Sequence, residues 1–344
     1  MQRLFRLPLR VLSWVHHQVD VTILFALAVA LGMLAYVSYL ASARNSAGEL
    51  WVIVQQTWLV ILILTLPYLA ARALVWYDLL RELDIQVPIG QMIVSFAGGE
   101  ITKSLPAGIY VQNYLLKKLA NFGQLSLVRS SMATTAMLGL ESLLAVPVAL
   151  VVGLPGEEWV RYAILGFTLA WVVILMVAFS LIHYWRVHLR SGAPRWLCRA
   201  LILAEEGMAA GAELINWRTA RNLLPTAIYM LIYAVDLHLI IKATGVTSVS
   251  FLDAMGMYSV MVLAIVLVPI PTEIGIAEFA GLGTLLAYGI ARPTAALVVL
   301  GLRLLATGMT IIVAGVVLVI MRHELASLPK EERVPSMPRE QHLT

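Results

Sequence analysis

The sequence predicts an all-α polytopic membrane protein with about seven to eight transmembrane helices and two re-entrant or broken segments. Of the 344 residues, 60% are hydrophobic and only 13% are charged, and the mean hydropathy is +0.87. A soluble domain has about 25% charged residues, so this chain cannot cover a surface that faces water. Its apolar residues form runs of about 20, the length that crosses a bilayer, and prolines, glycines and charges interrupt two of these runs. No soluble catalytic domain fits in the remainder.

The chain divides into a leader, one transmembrane domain and a tail. Residues 1–20 contain three arginines and are predicted to form a basic amphipathic leader on the cytoplasmic side. Residues 21–320 form the single transmembrane domain, and residues 321–344 form a polar C-terminal tail whose balanced charges leave its side of the membrane open. A basic stretch before the apolar run 21–40 also describes a cleaved signal peptide. The length of the run favours an uncleaved anchor.

Uninterrupted spans are predicted after this first run, and a polar loop divides them. They cover residues 50–75, 130–153, 160–183, 223–243, 252–268 and 294–320. Six arginines lie in the loop 184–222, which by the positive-inside rule is cytoplasmic. Residues 200–212 within it are expected to form an interfacial helix.

Two apolar segments contain residues that break helices. Residues 92–119 include Pro106 and Gly108, and residues 267–288 include Pro269, Pro271 and Gly275. Proline removes a backbone donor and glycine weakens a helix, so both segments should break near their middles. Broken backbone at membrane depth is tolerated only inside protein or beside water. The two segments are therefore predicted to be re-entrant or discontinuous helices.

The two breaks also resemble each other. The stretch from Pro106 aligns with the stretch from Pro271 in a proline, an isoleucine three residues later and a β-branched residue two further on. Paired interruptions in two halves of a chain are typical of an internal inverted repeat with a binding site between the halves. Three matches among apolar residues also arise by chance, so both interpretations stay open.

Ionisable residues inside a membrane are costly, which makes each one a candidate for function. We expect Arg303 to pair with Glu278 or Glu141, and Lys103 to lie near Glu100 or Glu273. The other intramembrane polar residues are Asp236 and His238, for which a site role and a structural role stay equally open.

The functional interpretation is a polar cavity near the midplane that receives a lipid head group. Arg303 and Lys103 would hold phosphate, and half-helix N-termini after the two breaks would point N–H groups at it. Buried ion pairs that only fix helix register are the alternative. Tyr110, Gln112 and Asn113 could bind the head group or satisfy backbone groups freed by the break.

Signatures of catalysis are missing from the sequence. It contains no HExxH, GxSxG or P-loop motif and no Asp-rich motif for metal-bound diphosphate, so no enzyme activity, metal or cofactor is expected. The single Cys198 excludes a disulfide within the chain and a CxxC site. The net charge of +4 comes from the loops and sets topology, so no nucleic-acid partner is expected.

Two segments resemble a known family. Residues 269–280, PIPTEIGIAEFA, resemble the proline-glycine-glycine-x-glycine-x-x-glutamate signature of the flippase-like transmembrane domain of lysylphosphatidylglycerol synthases. Residues 104–108 followed by 114–118 are similar to the family's first proline-glycine turn and its leucine-rich basic helix, and Arg303 matches the arginine of the last span. Thr272 and Glu273 replace the usual paired glycines, and residues 110–113 also depart from the pattern.

This resemblance implies a stand-alone member without the synthase domain, acting in lipid translocation. The leading hypothesis is a flippase that moves a phospholipid or a polyprenyl-linked carrier between leaflets, in the bacterial inner membrane. One alternative is a membrane enzyme that acts on a lipid head group. The other is a non-transporting subunit that docks a lipid-modifying enzyme. Membrane lipids are the expected partners, with a homo-oligomer or such an enzyme as further candidates.

Overall fold

A computed structural model describes residues 46–105, 108–121, 123–152, 195–267 and 275–323, with isolated helical residues near 35–39 and 162–184. All regular structure in these ranges is helical. Several predictions lie outside them. These are the leader, the first span, most of the span 160–183, nearly all of the tail, and Pro106, Pro269, Pro271 and Glu273.

Helix α1, Ser46–Glu82, is one continuous helix of 37 residues. It runs past the predicted span end at residue 75, because Trp76, Leu79 and Leu80 are fully buried and continue its packed face. The hydroxyl groups of Thr57 and Thr65 donate to carbonyls one turn earlier, at 2.7 and 2.8 Å. These bonds satisfy polar side chains inside an apolar helix.

The first predicted break is a helical hairpin. Helix α2, Ile89–Thr102, is followed by a 3₁₀ turn at Gly108–Tyr110 and then by helix α3, Val111–Leu119. A Cβ atom on Gly99 would lie 2.6 Å from Cβ of Gln112, so glycine permits the close approach of the two helices. With 14 and 9 residues, α2 and α3 are about 21 and 13 Å long, too short to cross about 30 Å of hydrocarbon.

The middle of the chain supplies two long apolar helices and an amphipathic one. Helix α4 is Gln124–Val152, α5 is Arg195–Glu213, α6 is the short Trp217–Ala220 and α7 is Leu223–Ala243. Helix α5 packs on the beginning of α4, where Gly207 and Gly211 approach Met132. Its residue range includes residues 200–212, which were predicted to form an interfacial helix.

The last third contains four helices. Helix α8 is Phe251–Leu267, α9 is Ile276–Ala287, α10 is Arg292–Leu302 and α11 is Gly308–Ile320. A π-turn, Arg303–Thr307, joins α10 to α11. Helix α9 begins at Gly275, whose positive φ of 88° is a conformation that glycine adopts without strain.

The main helix contacts join elements that are far apart in the sequence. Helix α1 packs on α7, α4 packs on α8, and the hairpin of α2 and α3 packs on α11 through α2. In the described residues four helices are long and apolar enough to cross a membrane, namely Gly48–Glu82, Gln124–Val152, Trp217–Ala243 and Arg292–Ile320. The chain is therefore a multi-pass membrane protein, and the total of seven or eight spans stays a prediction.

A polar contact set, here called the end clamp, closes the C-terminal end of α1. Arg221 binds Asp78 at 2.5 Å, Asn222 donates to the same carboxylate at 2.9 Å, and Thr219 donates to Glu82 at 2.5 Å. The Arg221 side chain is 59% exposed. These bonds join the end of α1 to the segment that leads into α7.

Candidate functional site

A cavity of about 70 Å³, lined by both charged and apolar side chains, lies among the helices. Side chains from α1, α4 and from α7 to α10 line it, together with Lys103 at the end of α2 and with the π-turn. Its volume has room for a few water molecules. Among the residues that the structure describes, five charged ones line it, namely Arg72, Lys103, Glu141, Glu278 and Arg303.

Three of these residues, Arg72, Lys103 and Glu141, form together with Glu100 what we call the inner cluster. Arg72 donates from Nε to Glu100 at 3.1 Å and from Nη1 to Glu141 at 2.8 Å. Lys103 pairs with the second oxygen of Glu100 at 2.8 Å. The guanidinium fork of Arg72 thus holds carboxylates from α2 and α4 on α1, a bridging geometry that arginine favours.

Tyrosines complete the inner cluster. The hydroxyl group of Tyr229 in α7 donates to Glu141 at 2.8 Å, and Lys103 donates to the hydroxyl of Tyr68 at 3.2 Å. The Arg72 guanidinium lies 5.5 and 5.1 Å from the ring centres of Tyr68 and Tyr229, within the range of a cation–π interaction. The cluster therefore ties α1, α2, α4 and α7 together through groups that are almost entirely buried.

The remaining pair, Glu278 and Arg303, is here called the outer pair. The Arg303 Nε atom donates to Glu278 Oε1, and its Nη1 atom lies 3.3 Å from the hydroxyls of both Ser104 and Thr307. Glu278 is 2% exposed, whereas the Arg303 side chain is 20% exposed. Of the two, Arg303 is thus the accessible charge.

Local backbone structure explains how the outer pair is held. Glu278 lies in the first turn of α9, where its Oε2 accepts the Gly275 N–H at 2.6 Å. A carboxylate at this position satisfies an unpaired donor and interacts favourably with the helix dipole. Arg303 begins the π-turn, and such turns inside α-helices are frequent at functional sites.

The contact between Ser104 and Arg303 connects the two interrupted regions. Ser104 follows α2 in the first region, and Arg303 is bonded to Glu278 of the second. Both regions therefore contribute side chains to the same cavity, as the internal-repeat hypothesis requires. The positions of Pro106 and Pro271 themselves lie outside the described residues.

The ion pairs agree with the first option given for each cation. Arg303 pairs with Glu278, and Lys103 pairs with Glu100. Glu141, the other option for Arg303, is bound by Arg72. We expected the start of the second half-helix to direct backbone N–H groups at a ligand. In the structure, the N–H group of Gly275 instead donates to Glu278.

Tyr110, Gln112 and Asn113 lie apart from the cavity. Gln112 and Asn113 both donate to the hydroxyl of Thr134 at 2.9 Å, and the Tyr110 hydroxyl lies 3.3 Å from that of Thr135. Neither alternative predicted these partners, which are side chains of α4. The bonds fasten α3 to α4.

Asp236 and His238 are likewise not brought to the cavity. Both lie in α7, where Asp236 is buried. Its Oδ1 atom and the Nδ1 atom of His238 have no hydrogen-bond partner among the described residues. The His238 ring packs edge-on against Phe251 at 5.9 Å.

Sequence reasoning missed Arg72 and the tyrosines around the cavity. Arg72 lies in the apolar run that starts near residue 50, three residues before the predicted end of that span, and the sequence analysis assigned it no role. Because α1 continues for ten further residues, Arg72 is about 15 Å from the end of the helix. The signal that identified Arg303, an arginine within an apolar run, was also available for Arg72.

Comparison with known proteins identifies a family for this chain. A family model described as the lysylphosphatidylglycerol synthase TM region matches residues 23–314, which is most of the chain. None of the curated proteins searched matches it. The described residues contain no group of three or more side chains suited to bind a metal ion.

Proposed function

Because the chain belongs to the lysylphosphatidylglycerol synthase transmembrane-region family, as its motifs predicted, we propose that it moves a phosphate-bearing lipid between the leaflets of a membrane. In this proposal the head group enters the cavity and contacts Arg303, while the acyl or prenyl chains stay in the surrounding lipid. The inner cluster, which includes Lys103, lines the inner side of the path that the head group takes.

One observation carries the proposal: two interrupted regions bring charged side chains to one cavity between helices of spanning length. Charged groups within a bilayer cost several kcal/mol each, so they are rare outside ion and substrate pathways. A lipid head group has the same energetic problem when it crosses the hydrocarbon layer. A chain of polar contacts at mid-depth lowers that barrier.

The short helices fit the same proposal. Helices α2 and α3 cannot cross the bilayer singly, so we place them as a re-entrant hairpin whose tip reaches the cavity. Helix α9, with 12 residues, is likewise too short to cross the bilayer alone. By the arginine content of the loop 184–222, we place that loop and the N-terminus in the cytoplasm of a bacterium, with the protein in the inner membrane.

Passage of a head group requires the cavity to open. Its volume of about 70 Å³ holds water but is smaller than a phospholipid head group. The outer pair is the natural place for the opening, since the cap at Gly275 and the π-turn are local backbone features. Their rearrangement would change the middle of the helix Arg292–Ile320 and leave the long helices α1, α4 and α7 in place.

The test is translocation of acyl-labelled phospholipids and of a polyprenyl phosphate in liposomes that contain the purified protein. We expect Arg303→Ala to lower the rate at least tenfold, since it removes the exposed cation. Arg303→Lys should retain part of the rate, because it keeps the charge but loses the fork that reaches Glu278 and the two hydroxyls.

The matched control is Arg292→Ala, which removes an exposed arginine at the start of α10. It should leave the rate unchanged, and all variants should elute as folded protein. Absence of translocation for every lipid, or equal rates for Arg303→Ala and the wild type, would overturn the proposal. Mass spectrometry of the same lipids would detect the covalent change that the enzyme alternative predicts.

A further inference from the structure

The charges around the cavity balance. Among the described residues, its walls carry the cations Arg72, Lys103 and Arg303 and the carboxylates Glu141 and Glu278. Glu100 is the third carboxylate, since it binds both Arg72 and Lys103. Three positive and three negative charges therefore lie in one connected site of low exposure.

This balance bears on the head group that the site accepts. A head group with two negative charges would give the buried site a net charge of about −2. No positive charge would then offset the free-energy cost of removing that excess charge from water. A head group with one positive and one negative charge adds no net charge. The site therefore disfavours phosphate monoesters, although the individual arginine and lysine can contact phosphate.

One part of the wall suits a phosphate oxygen. The Arg303 guanidinium is partly exposed and lies between the hydroxyls of Ser104 and Thr307. Charge-assisted hydrogen bonds from a guanidinium to a phosphate are short and directional. Two neighbouring hydroxyls extend the same polar surface.

Another part of the wall suits an ammonium group. Tyr68, Tyr233 and Tyr258 all line the cavity. The Tyr233 and Tyr258 rings stack at 4.8 Å and supply the aromatic surface for the ammonium group, since the Tyr68 ring already lies 5.5 and 5.3 Å from the cationic groups of Arg72 and Lys103. Tyrosine faces attract cations, and clusters of aromatic rings are a known means of binding substituted ammonium groups.

We infer that the cavity selects zwitterionic phospholipid head groups, with the phosphodiester at Arg303 and the ammonium at the tyrosine wall, over both anionic and net-cationic head groups. This inference rests on the proposed function and names its substrate class. The inferred site differs from a phosphate site lined only by cations, because every described cation of the cavity has a carboxylate partner.

The test compares four lipids with identical labelled acyl chains in the liposome assay. Their head groups are phosphoethanolamine, phosphoglycerol, a phosphate monoester and the lysyl ester of phosphoglycerol, with net charges of about 0, −1, −2 and +1. We expect the zwitterion to move fastest and the monoester at least tenfold more slowly. Equal rates, or a faster anionic or cationic lipid, would overturn the inference.

A charge variant provides a second test that does not require a large change of shape. Glu278→Gln keeps an oxygen that can accept the Gly275 N–H but gives the site one net positive charge. We expect it to raise the rate for phosphoglycerol relative to phosphoethanolamine at least threefold. An unchanged ratio would contradict the charge-balance argument.

A ring variant tests the ammonium end. Replacing both Tyr233 and Tyr258 by Leu should slow phosphoethanolamine more than phosphoglycerol, whereas replacing both by Phe keeps the rings and should preserve the ratio. Equal slowing of both lipids by the Leu variant would contradict the assignment. If the wild type moves neither these four lipids nor the polyprenyl phosphate, the proposed function itself fails. Arg303-dependent transport without selectivity removes only this inference.

Discussion

The inner cluster and the outer pair use the same chemical groups in different surroundings. In the inner cluster, four charged side chains on three helices are bound to one another and to two tyrosines. In the outer pair, one carboxylate is fixed by its own helix start, and the arginine keeps part of its surface exposed. The first arrangement can fix helix packing, and the second can still receive a ligand.

The largest effect is expected from Arg72→Leu, which breaks the inner cluster. Glu141 would lose its cation and Glu100 one of two. Removal of one partner of a buried pair costs about 3–5 kcal/mol because the other charge stays buried. Thermal unfolding in detergent should show this loss, while Arg303→Ala should change stability far less. Similar losses for both variants would contradict the distinction between cluster and pair.

A double variant tests the cause of that loss. Arg72→Leu combined with Glu141→Leu removes the uncompensated carboxylate together with its cation, so stability should recover by more than half of the loss. Glu100 keeps Lys103 as its partner. Failure to recover would mean that the shape of the arginine, and not the unpaired charge, controls the packing.

An intermediate effect is expected from Gly108→Ala at the hairpin tip. A Cβ atom there would lie 1.6 Å from the carbonyl oxygen of Thr102, so the turn that positions Lys103 and Ser104 must open. Transport should fall several-fold, with a smaller loss of stability. Gly139→Ala in α4 is the matched control, because a Cβ atom there meets nothing within 4 Å, and it should preserve both properties.

The smallest effect is expected from Arg221→Ala in the end clamp. The arginine is mostly exposed, and Asn222 also binds Asp78, so loss of the ion pair is largely offset by water. The unfolding midpoint and the transport rate should match those of the wild type within error. A clear loss of transport would show that the end of α1 takes part in the transport cycle.

Sequence periodicity was sufficient to predict those features of the fold that depend on a single helix. The long apolar runs gave the cores of α1, α4 and α7, Gly108 marked the 3₁₀ turn before α3, and Gly275 marked the start of α9. Both sets of signals are local, because helix formation and helix breaking depend on residues within a few turns. The pairing of Arg303 with Glu278 was one of two predicted options, since few partners exist for a cation in an apolar chain, and the structure decided between them.

The remaining features of the fold and the site depend on contacts between residues that are far apart in the sequence. Arg72 joins residues 28 and 69 positions away, and Ser104 meets Arg303 across 199 positions; no local pattern records such separations. Gln112 and Asn113 were expected either to bind a head group or to satisfy freed backbone groups, but the packing of α3 on α4 gave them Thr134 as a partner. The sequence by itself determined that charges lie within the membrane domain, because composition is enough for that. Only the tertiary structure decided which charges are sealed and which face the cavity, because exposure depends on how distant helices pack.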